Sequence, residues 1–252
     1  MGTALQVENV SKLFGSLRAV DDVSFGVEDQ SLTILIGPNG SGKTTLINMI
    51  SGFYKPDSGR VVYNGKDIAG LKPHKVYKLG LARTFQIPAL FWKETVLENV
   101  MVAKRGNPGE SFLKAPIAAS WKRVEEQTAE EAFRVLQIIG LSKFWNQTAV
   151  SLSGGQMKLL EIGRVLMSGA KTILMDEPIS GVNPTLAHDI FSTLQKIRVD
   201  YGITFLIVEH RLDIALGYVD EAIAMAYGKL VAVGKPDTVM SDPRVVEAYL
   251  GA

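Results

Sequence analysis

The sequence predicts an α/β fold: a mixed sheet with flanking helices, an antiparallel β edge subdomain, and an inserted α-helical subdomain. Three observations point there. A short apolar run, Leu32–Ile36, is joined by a glycine-rich loop to the helical run Leu46–Ile50. Alternation of apolar strand and helix resumes at Lys171–Asp176 and again at Thr204–Val208. Between these parts, residues 83–168 are mostly of helical period. One 252-residue domain is therefore expected, with its α/β core in residues 1–82 and 169–252 and its helical subdomain in 83–168.

Taken in order, Leu5–Val10 alternates apolar and polar residues, the pattern of a half-buried strand, and Val20–Val27 follows a turn containing Gly15 and Ser16. These two form the antiparallel edge. Position alone leaves Phe14, between them, as either a core aromatic or a surface ring. After the loop helix, Gly52 reads as its C-cap, Pro56–Gly59 as a turn, and Arg60–Gly65 as a strand ending in a turn. Pro73 opens a short helix that stops at Gly80. Thr95–Glu98 is a capping box for a helix to about Lys104, and residues 106–120 lack periodicity and read as a surface insertion. Trp121–Ile139 carries Val124, Thr128, Ala132, Val135 and Ile139 on one stripe and ends at Gly140. Asn183 and Pro184 cap and start a later helix, a short helix begins at Arg211, a hairpin turns at Gly228, and Pro243 starts a final helix.

Three constellations carry chemistry. Gly37-Pro38-Asn39-Gly40-Ser41-Gly42-Lys43-Thr44-Thr45 matches the phosphate-binding pattern G-x-x-x-x-G-K-[ST] between a strand and a helix. The glycines let backbone N–H groups close on phosphate oxygens, and the helix points its positive end at them. Lys43 supplies charge for the terminal phosphates, and the Thr44 hydroxyl is placed to ligate Mg2+. The core is thus a P-loop NTPase core with a nucleotide-triphosphate site. Ser153 and Gln156 make a second capping box, and Gly154 and Gly155 between them lower helix propensity. That cost points to close approach of an anion at the helix start. Asp176 and Glu177 end an apolar strand. Asp176 is placed to hold magnesium, usually through its waters, and Glu177 to face the attacking water as base or orienter. Gln86, after Phe85, is within reach of metal or water, and His210 ends another strand, where a γ-phosphate contact is available. His74 and His188 lie on polar stretches and receive no role.

Composition narrows the field. Lys+Arg 27 against Asp+Glu 26 leaves a net charge of +1, without the basic excess of a nucleic-acid-binding surface. The absence of cysteine excludes disulfides and thiolate metal sites. The first residues lack the basic and apolar regions of a secretory signal, and no apolar run approaches the ~18 residues of a spanning helix. A soluble chain is expected, working at a membrane only through a partner.

In this order, the phosphate loop, Gln86, Leu152-Ser153-Gly154-Gly155-Gln156, Asp176-Glu177 and His210 resemble the ATP-binding cassette ATPases over nearly the whole chain. The resemblance implies that two cassettes pair head to tail, so Ser153 and Gly155 would act on the partner's ATP. It also implies that Phe14 stacks on adenine, that Gln86 couples the metal to the helical subdomain, and that Glu177 with His210 drives hydrolysis. Leu81-Ala82-Arg83-Thr84-Phe85-Gln86, Thr95–Val100, Gly181-Val182-Asn183-Pro184 and the Asp242–Gly251 ending resemble the ATPase subunit of branched-chain amino-acid importers, as does the insertion between Lys104 and Trp121. That likeness implies a peripheral position on the cytoplasmic face of the cell membrane. It also implies permease subunits docked near Phe85–Phe91, a second ATPase subunit, and, indirectly, a substrate-binding protein. Two residues depart from the wider pattern: Asn183 stands where aspartate is usual, and Phe14 where tyrosine is more common. Other readings are a cassette for urea or amides, a soluble relative in repair or translation, and a nucleotide-gated module without turnover. The intact Glu177 opposes the last, and the single cassette without a long coiled-coil insertion opposes the soluble relative.

Overall fold

The computed structural model describes residues 2–110, 116 and 121–250, so most of the insertion expected at 106–120 lies outside the described residues. The chain divides into two units, Met1–Gln86 with Lys171–Ala252, and Ile87–Ala170.

The first unit contains two sheets. β1 (Thr3–Phe14) and β2 (Leu17–Glu28) form a hairpin, extended by β4 (Ser58–Tyr63) and β5 (Lys66–Asp67) in the order β2-β1-β4-β5. The first two strands run well beyond the apolar alternation because bulges absorb their polar residues, shifting register between Val7 and Val10 and again at Lys12. The second sheet has the order β10-β9-β3-β8-β7-β6. Its strands are β3 (Leu32–Ile36), β6 (Leu81–Arg83), β7 (Thr172–Asp176), β8 (Thr204–Val208), β9 (Glu221–Ala226) and β10 (Lys229–Gly234). β9, β3, β8, β7 and β6 are parallel, and β10 is antiparallel to β9. Every residue of β3 and β8 is buried, as expected of central parallel strands covered on both faces.

Helix α1 (Lys43–Ile50) lies in the core with both sheets. Leu46, Ile47, Met49 and Ile50 share one cluster with Val7, Val23 and Tyr63 of the antiparallel sheet and Leu35, Leu174 and Leu206 of the parallel one. The remaining helices are α2 (Pro73–Lys78), α6 (Pro184–Tyr201), α7 (Leu212–Ala215), α8 (Pro236–Met240) and α9 (Pro243–Leu250). Asn183 caps α6 by accepting the Leu186 amide at 2.9 Å.

The second unit holds α3 (Val96–Met101), α4 (Lys122–Ile138) and α5 (Gly154–Met167). Both expected capping boxes form, Thr95 with Glu98 and Ser153 with Gln156. The unit boundary falls after Gln86, not after residue 82 as expected. Arg83 belongs to a strand, because Leu81–Arg83 pairs with Thr172–Leu174 of β7, a partner that helical periodicity cannot reveal.

Candidate functional site

Strand order assembles the site. β3, β8, β7 and β6 are parallel neighbours, so the residues after each emerge at one edge of the sheet. Those residues are the loop from Gly37, His210, the pair Asp176–Glu177, and the segment Thr84–Gln86. The sequence spreads them over more than 170 positions; four adjacent strand ends gather them.

The phosphate loop is held in a conformation that only glycine permits at two points. Gly37 has φ 149°, and a β-carbon there would stand 2.1 Å from the Met225 carbonyl oxygen. Gly42 has φ 99°, and its β-carbon would meet the Ala19 carbonyl oxygen at 2.3 Å. A turn across the sheet fastens the loop: the Gly228 amide donates to Ser41 O at 3.1 Å, and Asp21 donates to Gly228 O at 2.8 Å. Lys43 is buried, and its ammonium donates to the carbonyls of Gly37 at 2.7 Å and Pro38 at 2.9 Å. Burial holds that ammonium below its usual pKa, while the charges of Glu177 and Asp176 pull it back up.

A cavity of about 610 Å3 opens above the loop, within the range of small-molecule sites. Asn39, Gly40, Ser41, Gly42, Lys43, Thr44 and Thr45 form its floor; Glu177 and His210 stand on one side; Phe14 and Tyr227 also line it. Phe14 is not a core aromatic: it is 43% exposed and meets Tyr54 edge-on at 5.4 Å. The Glu177 carboxylate accepts from the Gln86 amide at 3.0 Å and lies 3.2 Å from the His210 ring nitrogen. Glu177 itself has φ 49°, a left-handed conformation held by its amide bond to Val208 O at 2.9 Å.

Thr44, Asp176 and Gln86 offer oxygen donors only, and no group of three or more His, Cys, Asp or Glu able to hold a metal occurs among the described residues. That donor set fits magnesium, which is usually held by one or two carboxylates together with substrate phosphates. Ser153, Gly154, Gly155 and Gln156 belong to the second unit. There the Ser153 amide donates to Gln156 Oε1 at 2.9 Å, and a β-carbon on Gly154 would meet nothing within 4 Å. The start of α5 is thus capped by side chains yet open over its first glycine.

Glu209 and Tyr227 are among the residues that leave little signal in the sequence. Glu209 is 1% exposed, and its carboxylate accepts the amides of Ile179 at 2.9 Å, His210 at 3.0 Å and Arg211 at 3.3 Å. An acid directly after the four apolar strand residues Phe205–Val208 is the available signal. Tyr227 reaches the cavity only because β9 pairs with β3, a long-range pairing that leaves no local mark. Of the Phe85–Phe91 stretch, Phe85 and Phe91 are exposed, but Leu90 is buried at 7% and presents no surface to a partner.

Comparison with known proteins identifies the family. The ABC transporter family model matches residues 20–180, and that of the branched-chain amino acid ATP-binding cassette transporter matches 229–252. The probable branched-chain amino acid transport ATP-binding protein LivG of Archaeoglobus fulgidus is 48% identical over 248 residues, covering 98% of this chain and 95% of its own. A crystal structure of the ADP conformation of an ATP-binding cassette of an ABC transporter superposes with TM-score 0.87 at 47% identity, covering all of both chains. A dimeric cassette in a post-hydrolysis state bound to ADP and Pi superposes with TM-score 0.74 at 25% identity, over 92% of this chain and 98% of its own. The chain belongs to the ABC transporter family, as one of its ATP-binding cassettes.

Proposed function

We propose that this cassette hydrolyses ATP at the edge of its parallel sheet and so powers import of branched-chain amino acids through a membrane permease. One observation carries the chemistry: Lys43, Glu177, His210 and Gln86 converge there, with Glu177 bonded to Gln86 and beside His210. The solute class rests on the match at 229–252 and on the named relative.

In this reading Phe14 offers its exposed face to adenine, and the amides of Asn39–Thr45 surround the phosphates. Lys43 leaves its carbonyl contacts on the loop and pairs with the terminal phosphates. Thr44, Asp176 and Gln86 would hold magnesium, which would supply positive charge against the phosphates. Glu177 takes the proton of the attacking water, and Gln86 and His210 fix the carboxylate's direction from two sides. The open start of α5, with Ser153, Gly154, Gly155 and Gln156, covers the γ-phosphate bound by a second cassette, because an anion there meets uncovered backbone N–H groups. The permease docks near the Phe85–Phe91 stretch, from the cytoplasmic side of the cell membrane, and a substrate-binding protein delivers the solute outside. Within the first unit, Phe53, His74, Tyr77, Arg83 and Phe85 line a groove of about 220 Å3 suited to such a contact.

Glu177→Gln tests the chemical assignment. ATP binding is expected to persist while phosphate release falls at least ~100-fold, the scale of a lost general base. Hydrolysis at the normal rate in that variant removes Glu177 from its role. Uptake of labelled leucine by proteoliposomes carrying this cassette with its permease tests the solute. Uptake of urea in place of leucine overturns that part.

A further inference from the structure

Arg83, the last residue of β6, carries its guanidinium inward, with its side chain 9% exposed. Nη2 donates to Asp176 Oδ2 at 3.1 Å. Nη1 donates to Asn48 Oδ1 at 2.5 Å and to Ser51 Oγ at 3.1 Å. Asn48 lies on α1 and Ser51 is its C-cap, whereas Asp176 ends β7. One planar group therefore spans two elements that no local sequence signal connects. The rings of Phe53 and Phe85 each stand 5.5 Å from it and shield it from water.

We propose that Arg83 is a positioning residue for the magnesium site, clamping Asp176 to the helix that carries Thr44. The proposal rests on the reading above that Thr44 and Asp176 hold the metal. Thr44 and Asn48 are four residues apart on α1 and so share a face, which is the face Arg83 grips. Arg83 engages Oδ2 of Asp176 and leaves Oδ1 for another ligand. A buried ion pair is on balance a poor source of stability, so a purely structural role does not account for a guanidinium in this place. A rigid fork does: it fixes two directions at once, which the single ammonium of lysine cannot. Outer-shell groups of this kind usually contribute ~10- to 100-fold to metal affinity.

Binding of a fluorescent ADP analogue to the full chain, with magnesium and with EDTA, separates the possibilities. In wild type, magnesium is expected to tighten binding, and Asp176→Asn should lose that gain. Arg83→Met should lose ~10-fold of it, while affinity in EDTA stays within about twofold, since the loop amides are untouched. Arg83→Lys should recover part of the gain. If Arg83→Met keeps the whole gain while Asp176→Asn loses it, the clamp is refuted and the metal reading stands. If Asp176→Asn keeps the gain, the metal reading itself is wrong, and the clamp falls with it. Should Arg83→Met fail to fold, Asn48→Ala releases the α1 side alone and is expected to move the magnesium gain in the same direction. An unchanged gain in Asn48→Ala would then overturn the proposal.

Discussion

Lys43 carries its charge where burial opposes it. Its ammonium is inside the loop it will serve, below its usual pKa of 10.5 because of desolvation, with Glu177 and Asp176 offsetting part of the shift. Between the folded and unfolded pKa values the unfolded chain binds more protons, so stability of the nucleotide-free protein rises with pH in that window. ATP affinity should move the other way, falling as the amine loses its proton before 10.5 is reached. Denaturant melts and ATP titrations of wild type and Lys43→Met across the alkaline range check both signs. A wild-type affinity that declines no earlier than the variant's would show that Lys43 stays charged. Glu209 illustrates a buried carboxyl group met by backbone amides. Glu209→Ala leaves the amides of Ile179, His210 and Arg211 without their acceptor and should cost about 3 kcal/mol in a denaturant melt. Glu209→Gln, which keeps one acceptor oxygen, should cost less.

At the scale of elements, what could be read in advance follows how local the cause is. The β3–loop–α1 segment was legible because glycine geometry, strand burial and helix polarity are all written within twenty residues. The two capping boxes were legible for the same reason. β6 was not, since three residues become a strand only by pairing with β7 some ninety positions later. That pairing also delivers Arg83 to Asp176, so the missed strand and the missed clamp are one omission. Helix α8 leaves no signal either, its five residues being too few for a period to show. Caps also permit a separable test. Ser153→Ala removes the acceptor for the Gln156 amide and should lower the stability of the chain by ~1 kcal/mol. ATP binding to Lys43's loop should be unaltered, because Ser153 belongs to the other unit. A loss of monomeric ATP affinity would mean that the helix start already serves its own chain's nucleotide.

For the whole molecule, the distribution of groups argues for two copies. Loop, carboxylates and His210 share one unit, while the start of α5, proposed to accept an anion, belongs to the other and is open over Gly154. If each α5 serves a neighbour, two crippled cassettes can repair one another. A Lys43→Ala chain lacks its loop charge but keeps its α5 start; a Ser153→Arg chain keeps its loop and blocks its α5 start. Their mixed dimer contains one site with both defects and one with none. In an equimolar mixture half the dimers are mixed, so independent sites predict ATPase activity about one quarter of wild type, from parents that are each inactive. Cooperation between sites would lower that value without abolishing it. Activity is measured after mixing at concentrations where size-exclusion chromatography shows ATP-dependent dimers. Mixed dimers without activity above either parent would place both halves of the site in one chain.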